Sequence, residues 1–180
     1  MEAVSEGNEV AFHRLLHRHV DTINRYARRM TANSHEADDI TQETMLRLWQ
    51  QASRFDPRRS KLTTWLHNIT RHLCIDHHRK NVRLTRLDET SSPSTAISTL
   101  ATEAPAPDIN LESLDTETRV NLALLTLPER QRSALVLSYY QQLPNLAVAE
   151  ILNTSLSATE SLLARARRNL KTKLENTHEQ

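Results

Sequence analysis

Hydrophobic residues recur every three to four positions through most of this chain, which is the spacing of helices that bury one face. The clearest stripe runs through Val20, Ile23 and Met30 and predicts a helix from about residue 9 to residue 31. Residues 1–8 lack the pattern and are expected to be loose. Three further helical stretches follow from the same spacing: 35–54, 62–80 and 111–173.

Capping and turn residues separate these helices. Ser34 is placed to cap the helix that follows it. The Phe55-Asp56-Pro57 segment ends that helix, because the residue before a proline is pushed out of the α region. Towards the C-terminus, a short helix is followed by Asn153, which tolerates the left-handed conformation, and by Ser155, which can cap a longer basic helix. This arrangement predicts a helix-turn-helix.

Composition favours an all-α fold. The 180 residues include one glycine and only 4% aromatic residues, which is too few of either for a β-rich sandwich or barrel. Residues 84–110 are rich in Ser, Thr, Ala and Pro and have no apolar period, which is typical of a flexible linker. We therefore predict two small helical domains, at 1–83 and 111–175, joined by a flexible acidic linker at 84–110.

The net charge of +1 hides a segregated pattern. Residues 51–86 carry nine Lys/Arg against two Asp/Glu, and residues 119–180 carry eight against five. Residues 87–118 carry seven acids and no Lys/Arg. Two basic blocks separated by an acidic one indicate two surfaces that face a polyanion, although ordinary solvated helix faces would give a similar count.

Motifs for catalysis are missing from the sequence, so we do not expect an enzyme. There is no phosphate-binding glycine loop and no nucleophile motif. His13 and His17 have a metal-ligand spacing but no evident third ligand, so neither a metal nor a cofactor is predicted. The single cysteine, Cys74, excludes an internal disulfide and is expected to be a small buried residue. Without a long apolar run or a signal peptide, the chain is expected to be cytoplasmic.

Two segments resemble a known family. The run ADDITQETMLRLW, then RFDP, then TTWLHNITRHLCIDHHRK closely resembles the second conserved region of bacterial sigma factors, of the extracytoplasmic-function (ECF) type. The segments LLTLPERQRSALVLSYY and AVAEILNTSLSATESLLARARRNL are similar to the fourth conserved region of the same family. The two matches lie in the family's order and spacing, one in each predicted domain.

The resemblance implies an alternative sigma factor. Such a protein binds the β′ and β subunits of core RNA polymerase, directs the enzyme to specific promoters and helps to melt the DNA for transcription initiation. The family also implies an anti-sigma factor as a partner, no catalytic activity of the chain itself and no direct membrane insertion. The acidic linker would then thread through polymerase channels, although a plain tether would have the same composition.

Three surfaces are expected from the resemblance, read together with helix geometry. The core-polymerase surface is one helix face at spacing i, i+3, i+4, i+7: Asp39, Gln42, Glu43 and Leu46. The minus-ten surface supplies cations and hydrogen-bonding groups for melted DNA: Arg58, Arg59, Lys61, Asn68, Arg71, His72 and Arg79. The minus-thirty-five surface lies on the recognition helix: Ser157, Ala158, Glu160, Ser161, Arg165 and Arg168.

Some assignments have two interpretations. Trp65 and Phe55 could be platforms for unstacked bases or ordinary core residues, and Glu160 could accept from a cytosine amino group or face solvent. The family's Gly-Leu-Ser start to the short helix is here Gln142-Leu143-Pro144, so a weaker helix start is expected, with Asn145 as the cap.

Two other functions are compatible with these departures. One is a helix-turn-helix DNA-binding regulator that works independently of polymerase. The other is a degenerate sigma paralogue that binds polymerase without initiating transcription.

Overall fold

The structure is a computed structural model that describes residues 1–31, 33–89 and 116–176, with side chains described for 1–31, 33–80 and 116–175. All regular elements among these residues are helical. In chain order the helices are α1 Glu2–Ser5, α2 Glu9–Met30, α3 Ser34–Gln50, α4 Leu62–Glu89, α5 Thr116–Leu125, α6 Glu129–Leu135, α7 Asn145–Ile151 and α8 Leu156–Asn176. The all-α prediction is confirmed.

The beginning of the chain is more ordered than its sequence predicts. Residues 1–8 were expected to be loose, but helix α1 forms there, and its Val4 is only 2% exposed. The helix packs against the short 3₁₀ turn Ala52–Arg54 that follows α3. The reason is burial of one valine, which a four-residue helix cannot signal through periodicity.

Asparagine side chains cap the starts of helices α2 and α3. The Asn8 side chain caps α2 by accepting from the Ala11 amide at 2.9 Å. The predicted cap Ser34 is wrong by one residue, because Asn33 caps α3 by accepting from the His35 amide at 2.9 Å. Asparagine is among the strongest N-capping residues, and Asn33 lies one residue nearer the turn than Ser34.

The C-terminal helices show the predicted helix-turn-helix. Asn153 takes φ of 48°, and Ser155 Oγ accepts from the Ala158 amide at 3.1 Å, as expected. Helix α7 begins without a side-chain cap, in agreement with the missing capping box. However, Asn145 is its first helical residue and not the cap, because Pro144 precedes it in extended geometry. Gln142, where the family usually has glycine, takes φ of 52°.

The two helical regions pack against each other. A small core within the N-terminal region contains Ile23, Met45, Leu48 and Leu66. A larger core joins residues of α2, α3 and α4 to residues of α5 to α8. Helix α4 packs on α7, and α2 packs on α5, on α6 and on the π-helical turn Val136–Tyr140 that continues α6.

The predicted linker falls mostly outside the described residues. Helix α4 continues to Glu89, six residues past the predicted boundary at 83. Residues 90–115, which contain the rest of the predicted linker, are not among those described. Within the described part of the chain, no helix combines the length and apolarity needed to cross a membrane.

Candidate polymerase and nucleic-acid interfaces

Helix α3 presents the predicted acidic face to solvent. Asp39, Gln42 and Leu46 are exposed, Leu46 to 48%, and Glu43 is half-buried. The opposite side of the helix is buried in the two cores. Glu43 Oε1 accepts from Arg47 Nε at 2.8 Å, one turn along the helix. The four predicted residues, hereafter the acidic face, thus combine carboxylates with one exposed leucine.

A charged groove runs between α3 and α4 beside the acidic face. Its volume is about 550 Å³. Asp39 and Glu43 line one wall, and Asp76, Arg79 and Lys80 line the other. The described side chains include no group of three or more His, Cys, Asp or Glu placed to hold a metal ion. The groove therefore brings the carboxylates of α3 opposite Arg79 and Lys80 of α4.

The loop between α3 and α4 carries the first predicted minus-ten cations. Arg58 is 89% exposed, and its Nε donates to Asp56 Oδ1 at 3.2 Å. Its backbone amide donates to the same oxygen at 3.0 Å. These bonds from Arg58 hold the pKa of the Asp56 carboxyl below its ordinary value. Arg59 and Lys61 are also exposed.

Phe55 and Trp65 form an aromatic pair beside this loop. Their ring centroids are 5.5 Å apart and both residues are half-buried. Trp65 packs against the small N-terminal core. This packing favours a structural role for Trp65 while leaving part of its surface at the loop.

Helix α4 divides the remaining minus-ten residues between solvent and interior. His72 and Arg79 are exposed and Asn68 is half-buried. Arg71 has a side chain only 10% exposed, and its Nη2 donates to Oε2 of Glu129 at 3.1 Å. Glu129 begins helix α6, so Arg71 is held against the C-terminal domain. The predicted minus-ten set is not one continuous solvent-facing surface in this structure.

Other polar contacts lie along the same interface. The hydroxyls of Tyr26 and Ser133, which are both fully buried, are 2.7 Å apart. Arg132 Nη1 donates to the Met30 carbonyl at 2.8 Å. The guanidinium of Arg29 lies 4.0 Å from the centre of the Tyr140 ring, within range of a cation–π interaction.

Burial at this interface shifts the titration of several groups. It lowers the pKa of His67, whose Nδ1 lies 2.7 Å from the Thr63 carbonyl and whose ring meets Tyr26 edge-to-face. It raises the pKa of Tyr26 and, together with the Glu129 charge, raises that of Cys74 to about 12. Cys74 is buried as expected. A neutral imidazole and a protonated thiol are therefore the forms present near neutral pH.

The recognition helix α8 leaves its predicted face open. Thr159, Leu163 and Ala166 point inward and are buried. The predicted residues lie on the other side, with Ala158 half-buried and the rest exposed: Ser157, Glu160, Ser161, Arg165 and Arg168. Short polar side chains come first and cations later, an order that suits base edges followed by phosphates.

Sequence reasoning missed the residues that join the domains. Tyr26, Ser133, Glu129 and His67 were not singled out as site residues, although each makes or lines the interdomain contact. One signal was available in α4, where Thr63, His67, Thr70 and Cys74 follow helical spacing on one face. A small and polar stripe of this kind indicates a buried face whose polar groups need partners.

Two family descriptions match the chain in the order of its domains. Sigma-70 region 2 matches residues 15–84, and Sigma-70, region 4 matches residues 118–170. The ECF RNA polymerase sigma factor SigW of Bacillus subtilis is 30% identical over 177 residues, covering 97% of this chain and 94% of that protein. The ECF RNA polymerase sigma factor SigG of Mycobacterium tuberculosis is 34% identical over 161 residues, covering 80% of this chain and 43% of that protein.

Solved structures share the fold. The sigma factor RpoE in complex with the anti-sigma factor NepR, from Bartonella quintana, superposes with a TM-score of 0.70 at 21% identity, covering 92% of this chain and 97% of that one. CnrH in complex with the cytosolic domain of CnrY gives a TM-score of 0.64 at 24% identity, covering 97% and 94%. The likeness extends over both helical domains.

Proposed function

This chain belongs to the ECF sigma factors, and from that premise we propose how its surfaces divide the work of transcription initiation. As an alternative sigma factor, it directs RNA polymerase to promoters and is not itself an enzyme. The acidic face of α3 binds core polymerase, the basic loop and α4 bind the minus-ten element, and α8 reads the minus-thirty-five element. The work takes place in the cytoplasm, where polymerase and promoter DNA meet.

The observation that carries the proposal is the exposed acidic face of α3. Asp39, Gln42, Glu43 and Leu46 lie together on a helix whose other side is buried. Carboxylates around an exposed leucine suit a basic helical partner, because charge steers the encounter and the leucine adds apolar burial. A DNA-binding regulator that works without polymerase has no use for such a face beside its DNA-binding helices.

The two DNA surfaces are supported by charge and exposure. Arg58, Arg59 and Lys61 extend into solvent where residues 51–86 concentrate basic charge. Arg165 and Arg168 stand on the open side of α8, where they would hold phosphates while Glu160 approaches base edges.

An anti-sigma factor is the expected regulatory partner. Two structural relatives are described in complexes, one with the anti-sigma factor NepR and the other with the cytosolic domain of CnrY. We infer a protein of that class for this chain too, bound where it would cover the acidic face or the DNA surfaces.

The test is in vitro transcription from a fragmented genomic library, using the purified chain and core RNA polymerase, with transcript starts identified by sequencing. Starts that share two spaced upstream motifs are expected. Core binding without defined starts would favour the degenerate paralogue, and no core binding would favour the independent DNA-binding regulator.

A variant and its control test whether core binding depends on the acidic face. Asp39→Lys with Glu43→Lys should abolish core binding, because it reverses the charge that meets the basic partner. Asp21→Lys changes an exposed acid on α2 that is not part of the acidic face, and it should retain core binding. Equal core binding by all three proteins would refute the assignment of this face.

A further inference from the structure

Arg71 differs from the other predicted minus-ten cations. Its side chain is 10% exposed, whereas that of Arg58 is 89% exposed. Its Nη2 donates to Glu129 Oε2 at 3.1 Å, across a sequence separation of 58 residues. A guanidinium committed to this carboxylate cannot at the same time bind a DNA phosphate through the same donor.

The contact belongs to a continuous interface and is not an isolated surface pair. Leu73 and Cys74 of α4 share one core with Val148, Ile151 and Leu152 of the helix-turn-helix. The hydroxyls of Tyr26 and Ser133 meet within it, and Arg132 reaches the Met30 carbonyl. The C-terminal domain therefore covers the side of α4 on which Arg71 lies.

We propose that Glu129 is an intramolecular competitor of promoter DNA for Arg71. In the closed form the carboxylate of Glu129 takes the place that a DNA phosphate takes in the open form, and the two uses of Arg71 exclude each other. The inference rests on the proposed function, since the contact between Arg71 and DNA is part of it. The regulated site is the minus-ten surface, and the regulator is the chain's own helix α6.

The chemistry of the interface suits a reversible contact. Carboxylate and phosphate are the two anions that a guanidinium binds with matched geometry. Glu129 remains 32% exposed, so water reaches the edge of the pair. Arg71 Nε, Arg132 Nε and Glu129 Oε1 are buried without a hydrogen-bond partner in the described part of the protein. Separation of the domains would return these groups to water, which offsets part of the loss of apolar contact.

Cys74 provides a native reporter of closure. It is the only cysteine, it is 5% exposed, and it lies in the core shared by the two domains. Alkylation of the full chain would be measured with iodoacetamide and with a bulky polyethylene-glycol maleimide. Glu129→Gln should increase the ratio of the maleimide rate to the iodoacetamide rate at least about tenfold, which corresponds to roughly 1.4 kcal/mol in the opening equilibrium.

Two reagents are needed because Glu129 also affects the thiol directly. Its charge contributes to the raised pKa of Cys74, so removing that charge accelerates both reactions by the same factor. Opening of the domains accelerates the reaction of the bulky maleimide more than that of iodoacetamide. The ratio of the two rates therefore reports access, and an unchanged ratio in Glu129→Gln would overturn the proposal.

Charge reversal separates an ion pair from general damage. Arg71→Glu should open the chain, and adding Glu129→Arg should restore slow labelling while leaving transcription defective. Glu117→Gln is the matched control, because Glu117 pairs with Arg29 between the same domains but is 74% exposed. It should label like the wild type. Circular dichroism would confirm that all variants remain helical, and labelling that stays fast in the double reversal would contradict the ion-pair switch.

Transcription at limiting chain concentration then tests competition itself. Glu129→Gln should initiate at least about threefold more often than the wild type, because more molecules present a free Arg71. Equal initiation with faster maleimide labelling would overturn competition while leaving closure established. No initiation by the wild type would refute the proposed function, and the labelling ratio would still decide whether Glu129 closes the chain.

Discussion

The two proposed DNA surfaces differ in how far the rest of the chain covers them. On α8, Arg165 and Arg168 stand in solvent, and the helix is held from behind by buried Leu163 and Ala166. On α4, Arg71 is buried under the C-terminal domain. The α8 surface is open to solvent, whereas the α4 surface is partly covered by the C-terminal domain.

This difference follows from how many sides of each helix are packed. Helix α8 buries one side against α5, α6 and α7. Helix α4 packs on α2 and α3 and also on α7. We expect duplex recognition to be available in the closed chain, whereas full engagement of melted DNA requires the domains to separate. Substitutions on the two helices should therefore have effects of different size.

The largest effect is expected from removing the helical part of the minus-ten surface. Alanine at Arg71, His72 and Arg79 should reduce promoter opening on the order of 100-fold or more, since hydrogen bonds to charged groups contribute about 1.5–3 kcal/mol each. Core binding should persist, because the acidic face of α3 is untouched. Permanganate reactivity of melted thymines would measure opening.

The matched control replaces two arginines and one histidine elsewhere on the N-terminal domain. Arg14, His17 and Arg18 are exposed on α2. Their alanine substitution should leave permanganate reactivity near that of the wild type. A similar loss in both triple variants would mean that net charge, and not the α4 surface, drives opening.

The next largest effect tests the buried hydroxyl pair. Tyr26→Phe should lower the free energy of unfolding by about 1–3 kcal/mol, because Ser133 is left buried without its partner. Adding Ser133→Ala should cost less than the sum of the single changes. Urea denaturation of the three variants forms the cycle, and strict additivity would argue against a direct bond between the hydroxyls.

Removing phosphate contacts from α8 should have a moderate and uniform effect. Arg165→Ala and Arg168→Ala should each weaken duplex binding several-fold for all sequences. Each should also reduce the slope of log K against log salt concentration by about 0.9. The free chain should already show this effect, since both residues are exposed in the closed form. Salt titrations by fluorescence anisotropy would measure it, and a change confined to one sequence would point to base contact instead.

Acid should weaken the closed interface. Burial lowers the pKa of His67 below the unfolded value near 6.5, so above that pH the imidazole is neutral in both states and contributes no pH dependence. Below it, the unfolded chain binds the proton more readily, and stability falls by up to about 1.4 kcal/mol per pH unit until the lowered pKa is reached. The pKa of His19 is also lowered, mainly by burial, so His19 makes stability fall with acid in the same way. The group that faces the His67 ring is Tyr26.

The measurement is the midpoint of urea unfolding between pH 7.5 and 5. His67→Gln should flatten this profile, even if it changes the absolute stability. A profile of unchanged slope in that variant would remove His67 from the explanation.

The smallest effect concerns the turn before α7. Gln142 takes φ of 52°, which costs a residue with a side chain about 1 kcal/mol. Gln142→Gly should therefore raise the free energy of unfolding by about that amount, whereas Gln142→Ala keeps the strained backbone and should give no gain. Thermal denaturation compares the two, and equal stability would show that the side chain of Gln142 offsets its own strain.

Local features were accessible from the sequence, and the interdomain contact was not. Asn153 and Ser155 were predicted from the residue types that suit their turn and cap, because those preferences are properties of single residues. Periodicity identified the apolar stripe of α2 but not that the Tyr26 hydroxyl of this helix meets Ser133, 107 residues away. A helical repeat shows which face is buried without identifying what covers it. For the same reason Arg71 was grouped with solvent-facing cations.

The most direct test of the difference between the two surfaces is arginine modification of the free chain with phenylglyoxal, followed by mass spectrometry of each site. The structure predicts rapid modification of Arg58, Arg165 and Arg168 and slow modification of Arg71, with Glu129→Gln accelerating Arg71 while leaving the three exposed arginines unchanged. If Arg71 of the wild type reacts as fast as Arg165, the C-terminal domain does not cover α4 in solution, and the account of an occupied minus-ten surface is wrong.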